Sequence, residues 1–175
     1  MSVEIDDFDR MMRRLEASLH GSWEACIYGA IEQLEEVCES PIEVMLGSAL
    51  LLGGMLADGP GKAGVPFIQL QKADALDRSS CVVAVVPQYL WKNYRIDFAL
   101  FADRVSQPVF IECDGHDFHE RTKEQASRDR TKDRAIQEAG LTVLRFTGSE
   151  IYRDPDGCAA QVLNVLANRV EPRTA

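Results

Sequence analysis

The sequence has no long apolar run, and none of its apolar stretches reaches the ~20 residues that a membrane-spanning helix needs. Its N-terminal segment, M-S-V-E-I-D-D-F-D-R, also lacks the basic and apolar regions of a secretory signal peptide. We therefore expect a cytoplasmic protein that makes no contact with a membrane.

Cysteine pairs and positive charge are scarce as well. The five cysteines are odd in number and widely spaced, and none forms a C-x-x-C pair, which argues against disulfide frameworks and zinc sites. The formal net charge of −9 argues against general nucleic-acid binding. That charge is unevenly distributed, because residues 1–40 hold ten acids and three arginines and carry −7, which leaves −2 for the remainder.

Hydrophobic periodicity and turn residues predict an α/β domain behind a helical segment. We expect an acidic helical extension over residues 1–39, a domain over residues 40–170 and a frayed tail over residues 171–175. The predicted elements are helices at 3–20, 23–38, from 40 onward, 120–139 and 155–170, strands at 66–71, 81–86, 95–102, 108–114 and 141–146, and turns at 87–93 and 147–149. The strands at 95–102 and 108–114 form a predicted β-hairpin.

Carboxylates interrupt both apolar runs of this hairpin. Asp97 lies within the first run, and Glu112 and Asp114 close the second. Because alternate residues of a strand share a face, Glu112 and Asp114 point the same way, and strand pairing can bring Asp97 to them. Carboxylate oxygens and the carbonyl of Cys113 are hard ligands, so the pattern predicts a site for Mg²⁺ or Mn²⁺.

Ordinary roles for the same acids stay open at this point. An acid at a strand end is often solvated or paired with an arginine, and Arg95 and Arg104 are near in sequence. Glu43 follows the N-cap signal Ser40-Pro41 and completes a capping box there. Its alternative role is a further acid beside the metal.

A concentration of basic residues follows the carboxylate strand directly. Residues 121–134 hold six cations and three acids, in the only basic segment of an acidic chain. We expect Arg121, Lys123, Arg128 and Arg130 to contact the phosphates of a nucleic acid. The alternative is a solvated helix with charge pairs at i,i+4 spacing.

Five motifs together resemble the PD-(D/E)xK nuclease superfamily: R-I-D-F, I-E-C-D-G-H-x-F-H, R-D-R-x-x-D-R, G-L-T-V-L-R-F and S-E-I. More closely, they are similar to small endonuclease-domain proteins related to very-short-patch mismatch-repair endonucleases, over roughly residues 40–168. The resemblance implies a restriction-endonuclease-like fold, with a mixed central sheet flanked by helices. It also implies Asp97 and Glu112 as metal ligands and Glu43 as the acid from the preceding helix.

The chain departs from the superfamily at one position. The lysine expected two residues after the glutamate is replaced by Asp114. His116, His119 and Lys123 are the predicted substitutes for positioning or deprotonating water, and the two histidines could equally cap the following helix.

The resemblance implies a Mg²⁺- or Mn²⁺-dependent endonuclease acting on DNA. The alternative is a catalytically inactive nuclease-fold module that binds nucleic acid or a protein partner. A homodimer, and a protein partner bound through residues 1–39, also stay open.

Overall fold

The structure is a computed structural model that describes residues 28–56, 67–76, 82–115 and 123–171. The elements in chain order are α1 (28–37), α2 (Pro41–Leu56), β1 (Phe67–Leu70), a 3₁₀ turn (Ala73–Ala75), β2 (Val82–Trp91), β3 (Tyr94–Ala102), β4 (Val109–Asp114), α3 (Lys123–Glu138), β5 (Thr142–Thr147), α4 (Gly148–Arg153) and α5 (Pro155–Ala167). The predicted helix at 3–20 lies outside the described residues.

The five strands form one mixed sheet in the order β1-β2-β3-β4-β5. Strands β2, β3 and β4 pair antiparallel, whereas the two outer pairs, β1–β2 and β4–β5, are parallel. Helix α3 joins β4 to β5, as a parallel pair requires a long crossover connection. The predicted α/β fold with a mixed central sheet and flanking helices is thus confirmed, and so is the β3–β4 hairpin.

Helices cover both faces of the sheet. Buried residues of α1, α2, α4 and α5 pack on one face in one core cluster, and Ile136 of α3 packs on the other face in a second cluster. Leu34 of α1 is fully buried in the first cluster, although the sequence places it in the helical extension. The predicted domain boundary after residue 39 stays a prediction.

The predicted turn at 87–93 is wrong. Strand β2 continues to Trp91, and Lys92 and Asn93 alone form the turn to β3. The strand persists because its aromatic side chains join the second core cluster, where the rings of Tyr89 and Trp91 lie 6.0 and 5.7 Å from that of Phe110.

The predicted turn at 147–149 is also wrong, since α4 begins at Gly148. Thr147 is its N-cap, and the Thr147 and Glu150 side chains each accept a hydrogen bond from the other residue's backbone N–H. This reciprocal capping box stabilises a helix of only six residues directly after a strand. No described helix is both long enough and apolar enough to span a membrane.

Candidate active site

The two acids of the hairpin meet near its end. The pairing of Phe98 with Ile111 makes Asp97 and Glu112 the next positions of the same register. The Asp97 carboxylate turns toward β4, where Oδ2 accepts a hydrogen bond of 2.7 Å from the backbone N–H of Cys113.

Burial and mutual repulsion perturb both acids. Burial raises the pKa of Asp97 to about 7, and the negative charges of Glu112 and Glu43 add to this increase. Burial also raises the pKa of Glu112, against the opposing effect of the positive charges of Lys132 and Arg145. Carboxyls with raised pKa values that influence one another form a site whose ionised state needs a nearby cation.

Helix α2 adds Glu43 to this group. The Glu43 carboxylate is buried and accepts three hydrogen bonds, from the Glu39 N–H (3.0 Å), the Ser40 hydroxyl (2.6 Å) and Nε2 of Gln88 (2.7 Å). Ser40 in turn accepts a bond from the Glu43 N–H at 3.4 Å. The capping role is thus observed, because this carboxylate accepts bonds at the start of α2, and its charge also acts on Asp97. A role for Glu43 beside a metal stays a prediction.

Lys132 is a site residue that sequence reasoning missed. Its Nζ lies 2.5 Å from Oε1 of Glu112 and also donates a 2.5 Å hydrogen bond to the carbonyl of Arg95. The contact with Oε1 is a close ion pair between the ammonium and the carboxylate. A signal was present, because Ile136 is the only large apolar residue of α3 and marks the sheet-facing stripe that also contains Lys132.

Arg145 of β5 is a second missed residue. It is in parallel register with Glu112, and its Nη1 lies 3.5 Å from Oδ1 of Asp114 and 3.9 Å from Oε2 of Glu112. Its Nη2 lies 2.5 Å from Oδ1 of Asp133. Burial opposes the charge of Arg145, but the bond to Asp133 and the surrounding carboxylates raise its pKa. Asp114, a predicted metal ligand, is thus held by a guanidinium.

The arginines that the sequence offers as ordinary partners bind elsewhere. Arg95 pairs with Glu39, and Arg104 pairs with Asp103 at 3.6 Å. The cations beside the acids therefore come from α3 and β5, which are later in the chain.

The predicted nucleic-acid contacts are only partly described. Arg128 lines a shallow surface groove with Tyr94, Ser127 and Thr131, and Arg130 is exposed on the same helix. His116, His119 and Arg121 lie outside the described residues, as does the side chain of Lys123. The groove and the acids are connected through Arg95. Its neighbour Tyr94 lines the groove, and its carbonyl accepts a hydrogen bond from Lys132, which also pairs with Glu112.

The donor chemistry of the site suits a hard divalent ion. Asp97 and Glu112 are adjacent carboxylates with raised pKa values, and their oxygens are the ligand type that Mg²⁺ prefers. In the part of the chain that the structure describes, no three His, Cys, Asp or Glu side chains are arranged to hold a metal. Because Lys132 is paired with Glu112, ion binding would require the Glu112 carboxylate to turn from that ammonium.

Comparison with known protein families gives a match to this chain. The family model REase_MTES_1575, of a restriction endonuclease-like family, matches residues 73–166, which is more than half of the chain and includes β2 to β5. No curated protein and no solved structure matches the chain. The match confirms the predicted PD-(D/E)xK nuclease-type domain, whereas the closer relation to very-short-patch-repair endonucleases stays a prediction. The chain belongs to the REase_MTES_1575 restriction endonuclease-like family.

Proposed function

We propose that this protein is a metal-dependent endonuclease that hydrolyses phosphodiester bonds in DNA. The observation that carries the proposal is the convergence of carboxyls from α2, β3 and β4, of which Glu43 and Glu112 are buried and Asp97 is half-buried, with burial and like charge raising the pKa of Asp97 to about 7. Such a group costs stability unless a cation compensates it, and sites of this kind concentrate where chemistry occurs. Membership of a restriction endonuclease-like family points to the same reaction class.

Asp97 and Glu112 would hold a Mg²⁺ or Mn²⁺ ion, which would supply charge neutralisation and water activation when bound. The chain itself supplies Lys132, whose ammonium lies beside Glu112. We assign to Lys132 the role of the lysine that Asp114 replaces, which is to place a positive charge where negative charge develops on the phosphate. The Arg95 carbonyl orients this ammonium.

Arg128 is the described side chain best placed to bind a neighbouring phosphate. It lies one helical turn before Lys132, so a strand crossing α3 would meet both cations. Tyr94 lines the same groove and stacks on Trp91 with ring centroids 6.2 Å apart. An aromatic surface next to a cation suits the base and phosphate of a single nucleotide.

A cleavage assay tests the proposal. Plasmid DNA and single-stranded DNA and RNA oligonucleotides are incubated with Mg²⁺ or Mn²⁺, with a chelator as the negative control. We expect the wild type to cut DNA, and Asp97→Asn and Glu112→Gln to lose cutting. Asp103→Asn is the matched control, because it removes a carboxylate paired with Arg104 in the link after β3 and should retain activity. Equal cutting by the wild type and both site variants would refute the assignment.

A second candidate function is a binding module without catalysis. The observation that favours it is that Lys132 and Arg145 already neutralise Glu112 and Asp114 within the chain. Isothermal titration separates the two functions. A binding module would bind DNA without cutting it and would take up no Mn²⁺, whereas a nuclease would lose Mn²⁺ binding in Asp97→Asn.

A further inference from the structure

Gln88 carries an unusual backbone conformation. Its φ is +49°, in the left-handed region that side chains other than glycine and asparagine rarely adopt. Among the described non-glycine residues, Lys92 and Arg104 also have positive φ, but both lie in turns, whereas Gln88 lies within strand β2. Strain of this kind persists where surrounding contacts hold it, and it is concentrated at functional sites.

The side chain of Gln88 explains what the conformation achieves. Nε2 donates a 2.7 Å hydrogen bond to Glu43, linking β2 to α2. The orientation of the amide is fixed, because Glu43 already accepts bonds from Glu39 and Ser40 and offers Gln88 only acceptor oxygens. The carbonyl Oε1 of Gln88 must therefore point away from Glu43.

That carbonyl oxygen has no donor. Oε1 is buried and is one of two side-chain polar atoms in the described part of the chain that lack a hydrogen-bond partner. Buried acceptors are nearly always satisfied by protein or by ordered water. Gln88 also lies across the β2–β3 ladder from Asp97, since the neighbouring pairs are Pro87 with Phe98 and Tyr89 with Ile96.

We propose that Gln88 is a positioning residue of the acid site, which holds Glu43 beside Asp97 through Nε2 and orients a water molecule of the site through Oε1. The proposal rests on the proposed function, since that water belongs to the hydration of the bound ion. Mg²⁺ and Mn²⁺ sites with few carboxylates usually keep several waters, and a neutral carboxamide can accept a hydrogen bond from one of them without adding charge.

The test compares Gln88→Met with the wild type. Methionine has a similar length but neither donates to Glu43 nor accepts from water, so we expect Mn²⁺ affinity measured by calorimetry to fall at least threefold and kcat for DNA cleavage at least tenfold. The melting temperature of the metal-free protein should change little. The substitution removes the stabilising hydrogen bond to Glu43, but it also removes a buried oxygen that lacks a donor, so the two effects on stability have opposite signs. A purely structural role would instead lower the melting temperature and leave the Mn²⁺ affinity of the folded protein unchanged.

Two further variants separate the side chain from the backbone. Gln88→Gly relieves the positive φ and should lose as much Mn²⁺ affinity as Gln88→Met, whereas Arg104→Gly relieves a positive φ in a turn and should bind Mn²⁺ normally. Wild-type affinity in Gln88→Met would overturn the role of Gln88 alone. A wild type that neither binds Mn²⁺ nor cuts DNA would overturn the proposed function, and this role with it.

Discussion

Replacement of Asp97 by asparagine should stabilise the metal-free protein while abolishing its proposed activity. Asparagine keeps an oxygen that can accept the hydrogen bond from the Cys113 N–H, so the hairpin contact is retained. What the variant removes is the ability to ionise next to Glu112 and Glu43. The two effects of one substitution should therefore have opposite signs.

The size of the stability gain follows from the pKa of Asp97, which burial and neighbouring carboxylates raise from 3.8 to about 7. Within that range the native chain holds a proton that the unfolded chain has released, so stability falls as pH rises, and the loss is complete above about pH 7. Each pKa unit is worth about 1.4 kcal/mol, so the shift corresponds to at most about 4 kcal/mol. Local relaxation reduces such values, and we expect about 2 kcal/mol.

Thermal melts in chelator between pH 4.5 and pH 8.5 measure this effect. For a chain of this size a gain of 2 kcal/mol raises the melting temperature by about 4–8 °C. The stability difference between Asp97→Asn and wild type should be clearly smaller at pH 4.5 than at pH 8, where it should reach that size, whereas Asp103→Asn should track the wild type throughout. A difference that does not depend on pH, or a variant less stable than wild type at pH 8, would refute the reasoning.

Three other predictions concern the surroundings of the acids. Lys132→Met leaves Glu112 buried without a neighbouring ammonium. Urea unfolding should show that the free energy of unfolding falls by about 3 kcal/mol at pH 8 and by less at pH 5, where Glu112 can take up a proton. Equal decreases at the two pH values would contradict this. Thr147→Ala removes the N-cap of α4. It should lower the free energy of unfolding by about 1 kcal/mol in the same assay and leave DNA cleavage unchanged. Burial and nearby carboxylates raise the pKa of Cys38 to about 12 and raise that of Cys113, so peptide mapping after iodoacetamide treatment at pH 8 should find both thiols unmodified in the native protein and modified in urea.

The acids of the site were predictable because successive side chains of a strand point to opposite faces of the sheet, so a charged residue in an apolar strand is easy to recognise. Asp97 and Glu112 stand out in the sequence, since each occupies a run where every neighbour is apolar. The capping pattern at Ser40 likewise singled out Glu43. Burial of Glu43 and Glu112, the only charged residues in the described core, agrees with that reasoning.

The cations were harder to predict because their roles depend on how α3 and β5 pack. The sequence of α3 is so polar that it reads as a solvated helix, yet Ile136 docks it on the sheet and directs Lys132 and Asp133 inward. Gln88 gave still less signal, because a positive φ within a strand is imposed by tertiary contacts and not by local sequence. Local patterns identified groups that are costly to bury, but not the distant groups that compensate them.

Compensation by Lys132 and Arg145 explains how the metal-free chain can tolerate its acids. A buried carboxylate without a partner would lose several kcal/mol or take up a proton. Lys132 reduces this cost for Glu112, although burial still raises the pKa of Glu112, and Arg145 pairs with Asp114. Asp97 has no ion pair at contact distance among the described residues, and burial raises its pKa to about 7 against the hydrogen bond from the Cys113 N–H and the more distant charge of Lys132. Asp97 is thus the acid that the protein leaves least compensated, which makes it the side chain with most to gain from a bound cation. The proposed metal dependence and the predicted stability of Asp97→Asn have this one physical origin.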